Sequence, residues 1–230
     1  LGITALIGTI YVDKTFYRFH WPALMLFSIL FYYFLSNDNQ LTAIEGAILF
    51  TGLIVFVILV LKKSSDADPD DSIDALTVVS NFKIVIWLLI GGVALYFGSD
   101  WLVKGAIVIA KELGVSEAVI SISILAVGTS VPELAASVMA VVRNEKAISL
   151  GNLIGSNIFN IGSVLGLTAM IKPLVVEDSL IISRDLIWML IFAAVLLPFA
   201  LLLKRHELKK TEGFAMVFMY GIFMYLVFIS

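Results

Sequence analysis

Long, uninterrupted apolar runs are the feature of this sequence that most limits what it can fold into. A helix needs about 20 mostly apolar residues to cross the hydrocarbon core of a membrane. Because these runs do not alternate apolar with polar residues, they predict helices rather than barrel strands. The sequence therefore predicts an all-α polytopic membrane protein with seven spans and one partial span. The spans are 19–35, 41–61, 82–110, 119–142, 147–171, 186–203 and 214–229, and the partial one is 1–10.

The composition agrees with this class and excludes several others. Hydrophobic residues make up 60% of the chain and charged residues 14%, against about 25% charged residues in soluble domains. A soluble enzyme, a nucleic-acid-binding protein and a disordered scaffold are therefore excluded. The absence of cysteine excludes disulfides and thiolate metal sites. Because the sequence also has no His-Glu-x-x-His motif and no paired intramembrane aspartates, we expect neither an enzyme nor a bound cofactor.

The distribution of basic residues predicts the orientation of the chain in the membrane. Eleven of the fifteen Lys and Arg residues fall in alternate loops, at 11–18, 62–83, 143–146 and 204–210. Since cytoplasmic loops carry an excess of Lys and Arg, these four loops are predicted to be cytoplasmic.

An acidic segment within one of these loops, 62–81, is interpreted as a solvated cytoplasmic linker. A regulatory calcium site is the alternative interpretation, although the spacing lacks the glycine and terminal glutamate of a helix-flanked calcium loop. The acidic residues are Asp66, Asp68, Asp70, Asp71 and Asp74.

An internal repeat relates the two ends of the chain. Residues 1–16, LGITALIGTIYVDKTF, match residues 165–180, LGLTAMIKPLVVEDSL, with six identities and six close substitutions at an offset of 164. A second echo, at an offset of 167, relates Glu45-Gly46 to Glu212-Gly213. Five predicted spans separate the copies, and an odd number reverses direction, so the repeats are predicted to be inverted. Inverted repeats are typical of secondary transporters that bind their substrate at mid-membrane between the halves.

The repeat also predicts how the chain divides. Residues 1–61 would be the tail of a first repeat, residues 62–81 the linker, and residues 82–230 a complete second repeat of five spans. If the repeats are equal in length, the rest of the first repeat would occupy roughly 80 residues upstream of Leu1. We expect this N-terminal half-repeat to be needed to complete the site.

One acidic residue lies near the middle of a predicted span. Glu133 is the only charged residue between 118 and 142. An ionisable side chain at that depth is costly unless it is paired, protonated or bound to a cation. Thr129 and Ser130 precede it by four and three residues, so their oxygens share one helix face with the carboxylate. The alternative interpretation is a packing residue that is hydrogen-bonded to a neighbouring hydroxyl.

Further oxygens are predicted close to this carboxylate. Pro132 has no N–H and crowds the carbonyl of Gly128, which should free backbone carbonyls there and near Ala126. On the next helix Ser156 and Asn160 are spaced i,i+4 and add neutral oxygens. Carboxylate, hydroxyl, amide and carbonyl oxygens, without sulfur or imidazole, predict a hard-cation site for Ca²⁺ or Na⁺.

The sequence allows two interpretations for several other polar residues. Asp100 is either an acid near the outer interface or part of a gate or ion entry. Asn152 and Asn157 are either packing residues or ligands. Two small-xxx-small pairs, which favour close helix packing, are Gly151 with Gly155 and Gly162 with Gly166.

Three motifs carry a resemblance to a known family. They are GTSVPE at 128–133, GNLIGSNIFN at 151–160 and GSDW at 98–101. With these motifs the chain resembles the calcium/cation antiporter superfamily, and most closely its prokaryotic sodium/calcium exchangers. The resemblance implies an inverted-repeat transporter with ten helices in the intact family, in which each half contributes one pair of motif segments to a central ion site.

The resemblance implies exchange of Ca²⁺ for Na⁺ across the lipid bilayer of a bacterial or archaeal plasma membrane. Glu133 would be the chief carboxylate, joined by a second glutamate from the first half. Some family members carry Asp at the position of Asn160, so H⁺ in place of Na⁺ stays an alternative, as does a non-transporting membrane subunit. The other implied ligands are the Thr129 hydroxyl and carbonyl, the Ser130 hydroxyl, the Ala126 carbonyl, Ser156 and Asn160.

Overall fold

A computed structural model describes residues 1–65, 80–115, 120, 124, 126–143, 146–201 and 207–229. The five aspartates of the predicted linker, and the alternative calcium site among them, lie outside the described residues. The described α-helices are α1 Gly2–Ile7, α2 Trp21–Asp38, α3 Ala43–Ser65, α4 Asn81–Glu112, α5 Ala126–Thr129, α6 Val131–Val142, α7 Lys146–Phe159, α8 Gly166–Ile171, α9 Leu186–Leu201 and α10 Lys210–Ile229.

Six described helical stretches are long and apolar enough to cross a membrane. They confirm the prediction of a membrane-spanning helical protein. The predicted span 119–142 is described only in part, as α5 and α6, and the partial span 1–10 contains the short helix α1. The six stretches are Phe16–Asp38, Ala43–Lys62, Phe82–Glu112, Leu153–Ile171, Ile181–Leu201 and Lys210–Ile229.

Among the described ranges, three π-helical segments continue these helices. Phe16–His20 precedes α2, Ile181–Asp185 precedes α9, and Asn160–Leu165 joins α7 to α8. The first two begin transmembrane stretches in corresponding positions of the internal repeat. π-helical turns are rare in proteins, and those that occur are often found at functional sites. The third segment begins at the predicted ligand Asn160.

The chain divides into two compact units. The first contains Leu1–Ser65 with Ala136–Phe223, and the second contains Asp66–Ala135 with Met224–Ser230. In the first unit α2 packs on α9, and α3 packs on α8. In the second unit α4 packs on α5. The first unit has an aromatic-rich core, which includes Phe16, Phe27, Phe31 and Phe34.

In the described part of the first unit, two short antiparallel ladders depart from a purely helical fold. Strand β1, Ile10–Tyr11, pairs with β4, Glu207–Leu208, and strand β2, Gln40–Leu41, pairs with β3, Leu174–Val175. Their apolar residues Ile10, Leu41 and Leu208 are at most 1% exposed. Because a ladder satisfies backbone groups where the helices end, it stabilises buried connections that would otherwise carry unpaired amides.

The ladders follow the internal repeat. Strand β1 corresponds to β3 at the offset of 164, and β2 corresponds to β4 at the offset of 167. Pairing is crosswise, since each strand of one copy bonds to the non-corresponding strand of the other copy. Exchanging the two copies therefore turns one ladder into the other, which is the relation that a two-fold axis produces.

Glycines bring helix backbones together at two corresponding places in the first unit. A Cβ added at Gly46 would lie 2.5 Å from the carbonyl oxygen of Gly166, and one added at Gly213 would lie 2.8 Å from that of Gly2. Small residues allow such close approach between membrane helices. The predicted packing role is thus confirmed for Gly162 and Gly166, whereas Gly151 and Gly155 have no atom within 4 Å of an added Cβ among the described residues.

Candidate functional site

The helix that carries the central acidic residue is interrupted where the sequence predicts. Helix α5 ends at Thr129, Ser130 forms a turn, and α6 begins at Val131. The Ser130 N–H donates to the Val127 carbonyl at 3.0 Å, and the Leu134 N–H donates to the Ser130 carbonyl at 3.0 Å. Because Pro132 has no N–H, the carbonyl of Gly128 receives no helical hydrogen bond from it. The interruption predicted from the proline is therefore confirmed.

Glu133 lies in the first turn of α6. This half-buried side chain places its Oε2 atom in a buried position. The N-terminus of a helix favours a negative charge because its N–H dipoles point outward. A carboxylate is thus held beside an interrupted backbone rather than on a regular helix surface.

Two other glutamates occupy the same third helical position, and they form caps. The Glu45 Oε2 accepts the Thr42 N–H and hydroxyl at 2.8 Å each, and the Glu212 Oε2 accepts the Lys209 N–H at 2.8 Å. At Glu133 the corresponding N–H, that of Ser130, is bonded to Val127 instead. The capping arrangement that explains the other two glutamates therefore does not explain Glu133.

The hydroxyls near Glu133 lie in the second unit with it. Thr129 and Ser130 are exposed and flank the end of α5. Gly128 is buried, and a Cβ at this position would overlap the side chain of Val103 on α4. This contact fixes the end of α5 against α4 within the second unit. The predicted carbonyl ligand Ala126 is the first residue of α5.

The other two predicted ligands lie in the first unit. Ser156 is half-buried, and its hydroxyl donates to the Leu153 carbonyl at 3.2 Å. Asn160 is exposed and begins the π-helical segment Asn160–Leu165. The structure therefore brings together Thr129, Ser130 and Glu133 in one turn, and it places Ser156 and Asn160 on successive turns of another helix.

Asn157 of the second motif has a local role. The Asn157 side-chain amide donates to the Leu153 carbonyl at 2.7 Å, as a residue that stabilises its own helix would. Among the described residues there is no group of three His, Cys, Asp or Glu side chains that could hold a metal ion.

Sequence reasoning missed two features near these residues. The capping role of Glu45 had a signal, because Thr-x-x-Glu ahead of an apolar run is the pattern of a capping box. The equivalent pattern at Glu212 begins with Lys209, which supplies no side-chain cap, so its signal is weaker. The π-helical segment at Asn160 has no local composition that would have predicted it.

Comparisons with known proteins point to one family. The model of the sodium/calcium exchanger protein family matches residues 83–229. CaxA of Alkalimonas amylolytica is 35% identical over all of this chain and 74% of its own length. The inner membrane protein YrbG of Escherichia coli K12 is 30% identical over 98% of this chain and 70% of its own length.

The structure is also similar to a solved exchanger. The sodium-calcium exchanger NCX_Mj superposes with a TM-score of 0.73 at 29% identity, covering 96% of this chain and 68% of NCX_Mj. A further relative, the sodium/calcium exchanger MaX1 of Methanosarcina acetivorans, is 44% identical over 52% of this chain and 33% of its own length.

Proposed function

This chain belongs to the sodium/calcium exchanger protein family, an integral membrane family of transporters rather than enzymes, and from this premise we propose that it exchanges Ca²⁺ for Na⁺ across a prokaryotic plasma membrane. The observation that carries the proposal is Glu133 beside the interrupted helix, with a buried Oε2 atom. Half-helix ends and unwound carbonyls are the parts from which transporters build mid-membrane ion sites.

The proposed site takes its oxygens from two motif segments. Glu133 supplies the carboxylate, and the chain around the break supplies the Thr129 and Ser130 hydroxyls. Ca²⁺ takes six to eight oxygens at about 2.3–2.6 Å, and it accepts carbonyl and amide oxygens as well as carboxylates. The remaining proposed ligands are the Thr129 and Ala126 carbonyls, the Ser156 hydroxyl and the Asn160 amide oxygen.

Charge balance explains why one ion would replace the other. One carboxylate does not neutralise a divalent ion, and we expect a second acidic group from the repeat-related segment of the first half. Ca²⁺ and Na⁺ then compete for the same oxygens, so one ion leaves before the other binds. Access to the site would alternate as the long helix α4 and its repeat partner move against the remaining helices.

The test is sodium-driven uptake of ⁴⁵Ca²⁺ into vesicles that contain the full-length protein. Glu133→Gln keeps the size of the side chain and removes its charge, so uptake should fall to the level of empty vesicles. Glu177→Gln is the matched control, because Glu177 is exposed in a connection outside the six spanning stretches. Normal uptake by Glu133→Gln would remove this residue from the proposed site.

The same vesicles separate the alternatives. If H⁺ is the driving ion, uptake follows an imposed pH gradient and ignores an imposed Na⁺ gradient. If the protein is a non-transporting subunit, Ca²⁺ should leave the melting temperature unchanged. A ligand that binds only the folded state raises this temperature, so a Ca²⁺-dependent rise that Glu133→Gln abolishes supports the proposed site.

A further inference from the structure

Two charged residues lie within the long helix α4 and pair with each other. Asp100 and Lys104 are the only charged residues between Lys83 and Lys111, and the Lys104 Nζ lies 2.8 Å from the Asp100 Oδ2. The helix that holds them is long and apolar enough to cross a membrane. Ionisable residues in such helices are rare, and they pair with one another or mark an ion pathway.

The pair lies next to the interrupted helix. Val103, between the two charged residues, is the residue whose side chain a Cβ at Gly128 would overlap. Asp100 precedes Val103 by three residues, so it lies on the same side of α4, about 4.5 Å away along the helix axis. Gly128 is followed directly by Thr129. A carboxylate therefore lies one helical turn from the contact that fixes the end of α5.

The two partners differ in exposure. The Lys104 side chain is 71% exposed, whereas that of Asp100 is 32% exposed. The carboxylate is thus the more enclosed partner, and the ammonium group reaches it from a flexible four-carbon stem. An ion pair whose ammonium group is this exposed contributes little free energy, so another cation can displace the ammonium group.

We propose that Asp100 is an accessory contact for hard cations on α4 and that Lys104 is its resident counter-charge. A cation that approaches the interrupted helix displaces the ammonium group from the Asp100 carboxylate, and Lys104 returns when the cation leaves. The inference rests on the proposed function, because it takes Ca²⁺ and Na⁺ as the approaching cations.

Removing either charge should change the concentration dependence of transport. In the full-length protein Asp100→Asn leaves Lys104 unbalanced, so it should raise the KM for Ca²⁺ about tenfold and leave the maximal rate within about twofold. Lys104→Met should lower that KM. Glu112→Gln is the matched control, since it removes one negative charge from the same helix about 18 Å further along, and its KM should stay at the wild-type value.

A charge swap separates an ion contact from a merely structural ion pair. The double variant Asp100→Lys with Lys104→Asp keeps a salt bridge but moves the carboxylate one turn away from its original place. We expect its melting temperature to match that of the wild type and its KM to stay raised as in Asp100→Asn. Recovery of the wild-type KM by the swap would overturn the inference.

A measurement without a gradient distinguishes failure of this inference from failure of the proposed function. The Ca²⁺ concentration that gives half of the thermal shift should rise in Asp100→Asn by the same factor as the KM. An unchanged value overturns the accessory contact, whatever ion drives uptake. In contrast, wild-type vesicles that show no sodium-driven uptake would overturn the exchange of Ca²⁺ for Na⁺.

Discussion

Glycines of the first unit and glycines of helix α4 in the second unit have different surroundings. In the first unit, several glycines have backbone or side-chain atoms within 3 Å of an added Cβ. In the second unit, an added Cβ at the glycines of α4 would have no atom of the unit's described residues within 4 Å. The crowded glycines include Gly2, Gly46, Gly162 and Gly213, and the open ones are Gly91, Gly92, Gly98 and Gly105.

Glycine therefore has two different structural roles in this membrane protein. In the first unit glycine lets helix backbones touch, which is how membrane helices associate without a hydrophobic driving force between them. In α4 glycine makes no such contact with the described part of its unit, and its local effect is to lower helix propensity.

The sharpest test of the comparison is a methyl group at a crowded glycine. Gly46→Ala places a Cβ against the Gly166 carbonyl and the Ala169 side chain, and overpacking of this kind costs about 1–3 kcal/mol. We expect a clear fall in the SDS concentration at which the purified protein unfolds in micelles. Gly213→Ala at the repeat-related contact should have a similar effect.

Gly91→Ala is the control for this test. Its Cβ meets no atom among the residues that the structure describes in the second unit, and alanine in place of glycine favours a helix by roughly 1 kcal/mol. Stability should therefore be unchanged or slightly raised. Equal losses of stability in Gly46→Ala and Gly91→Ala would contradict the difference in packing between the first unit and α4.

A smaller effect is expected at the capping glutamates of the first unit. Glu45→Ala removes the acceptor of the Thr42 N–H and hydroxyl, and loss of a helix cap costs about 0.5–2 kcal/mol. The same SDS titration measures it. Glu45→Gln retains an oxygen acceptor and should recover most of the loss.

The matched change in the second unit is Glu112→Ala at the exposed end of α4. We expect its unfolding midpoint to stay close to that of the wild type. If Glu112→Ala were as harmful as Glu45→Ala, the cap would not be the cause of the loss.

The smallest predicted difference in stability is between substitutions of two tryptophans, one in each unit. The Trp21 indole N–H donates to the Ala193 carbonyl at 2.9 Å, whereas Trp101 on α4 is 69% exposed. Trp21→Phe keeps an aromatic ring and removes this hydrogen bond between α2 and α9, at a cost of about 0.6 kcal/mol. Trp101→Phe should cost less, and the opposite order in the unfolding titration would contradict the assignment of the bond.

The sequence predicts the spans and the helix interruption well because each depends on local chemistry. Continuous apolar runs are long enough to identify spanning helices without knowledge of their neighbours. Pro132 predicts the interruption because it lacks the N–H that the carbonyl of Gly128 would accept in a continuous helix. Glu133 is conspicuous for a similar reason, because no other charged residue lies in its predicted span.

Features that depend on distant parts of the chain were not predictable in this way. Strands β1 to β4 have two residues each, which is too short for an alternating pattern, and their partners lie far away in sequence. The repeat identified Gly46 and Gly213 as corresponding residues, but it did not predict which helices they contact. Likewise, Lys209 is not a capping residue by type, so the cap at Glu212 follows from the fold of the first unit.

The crosswise ladders have a consequence for the order in which the protein is made. Strand β1, Ile10–Tyr11, leaves the ribosome well before its partner β4, Glu207–Leu208. Helix α1 likewise precedes α10, whose Gly213 packs closely against the backbone of Gly2. The contacts of β1 and α1 therefore form only after β4 and Gly213 have been synthesised, so the packing of the first unit is completed after the intervening helices.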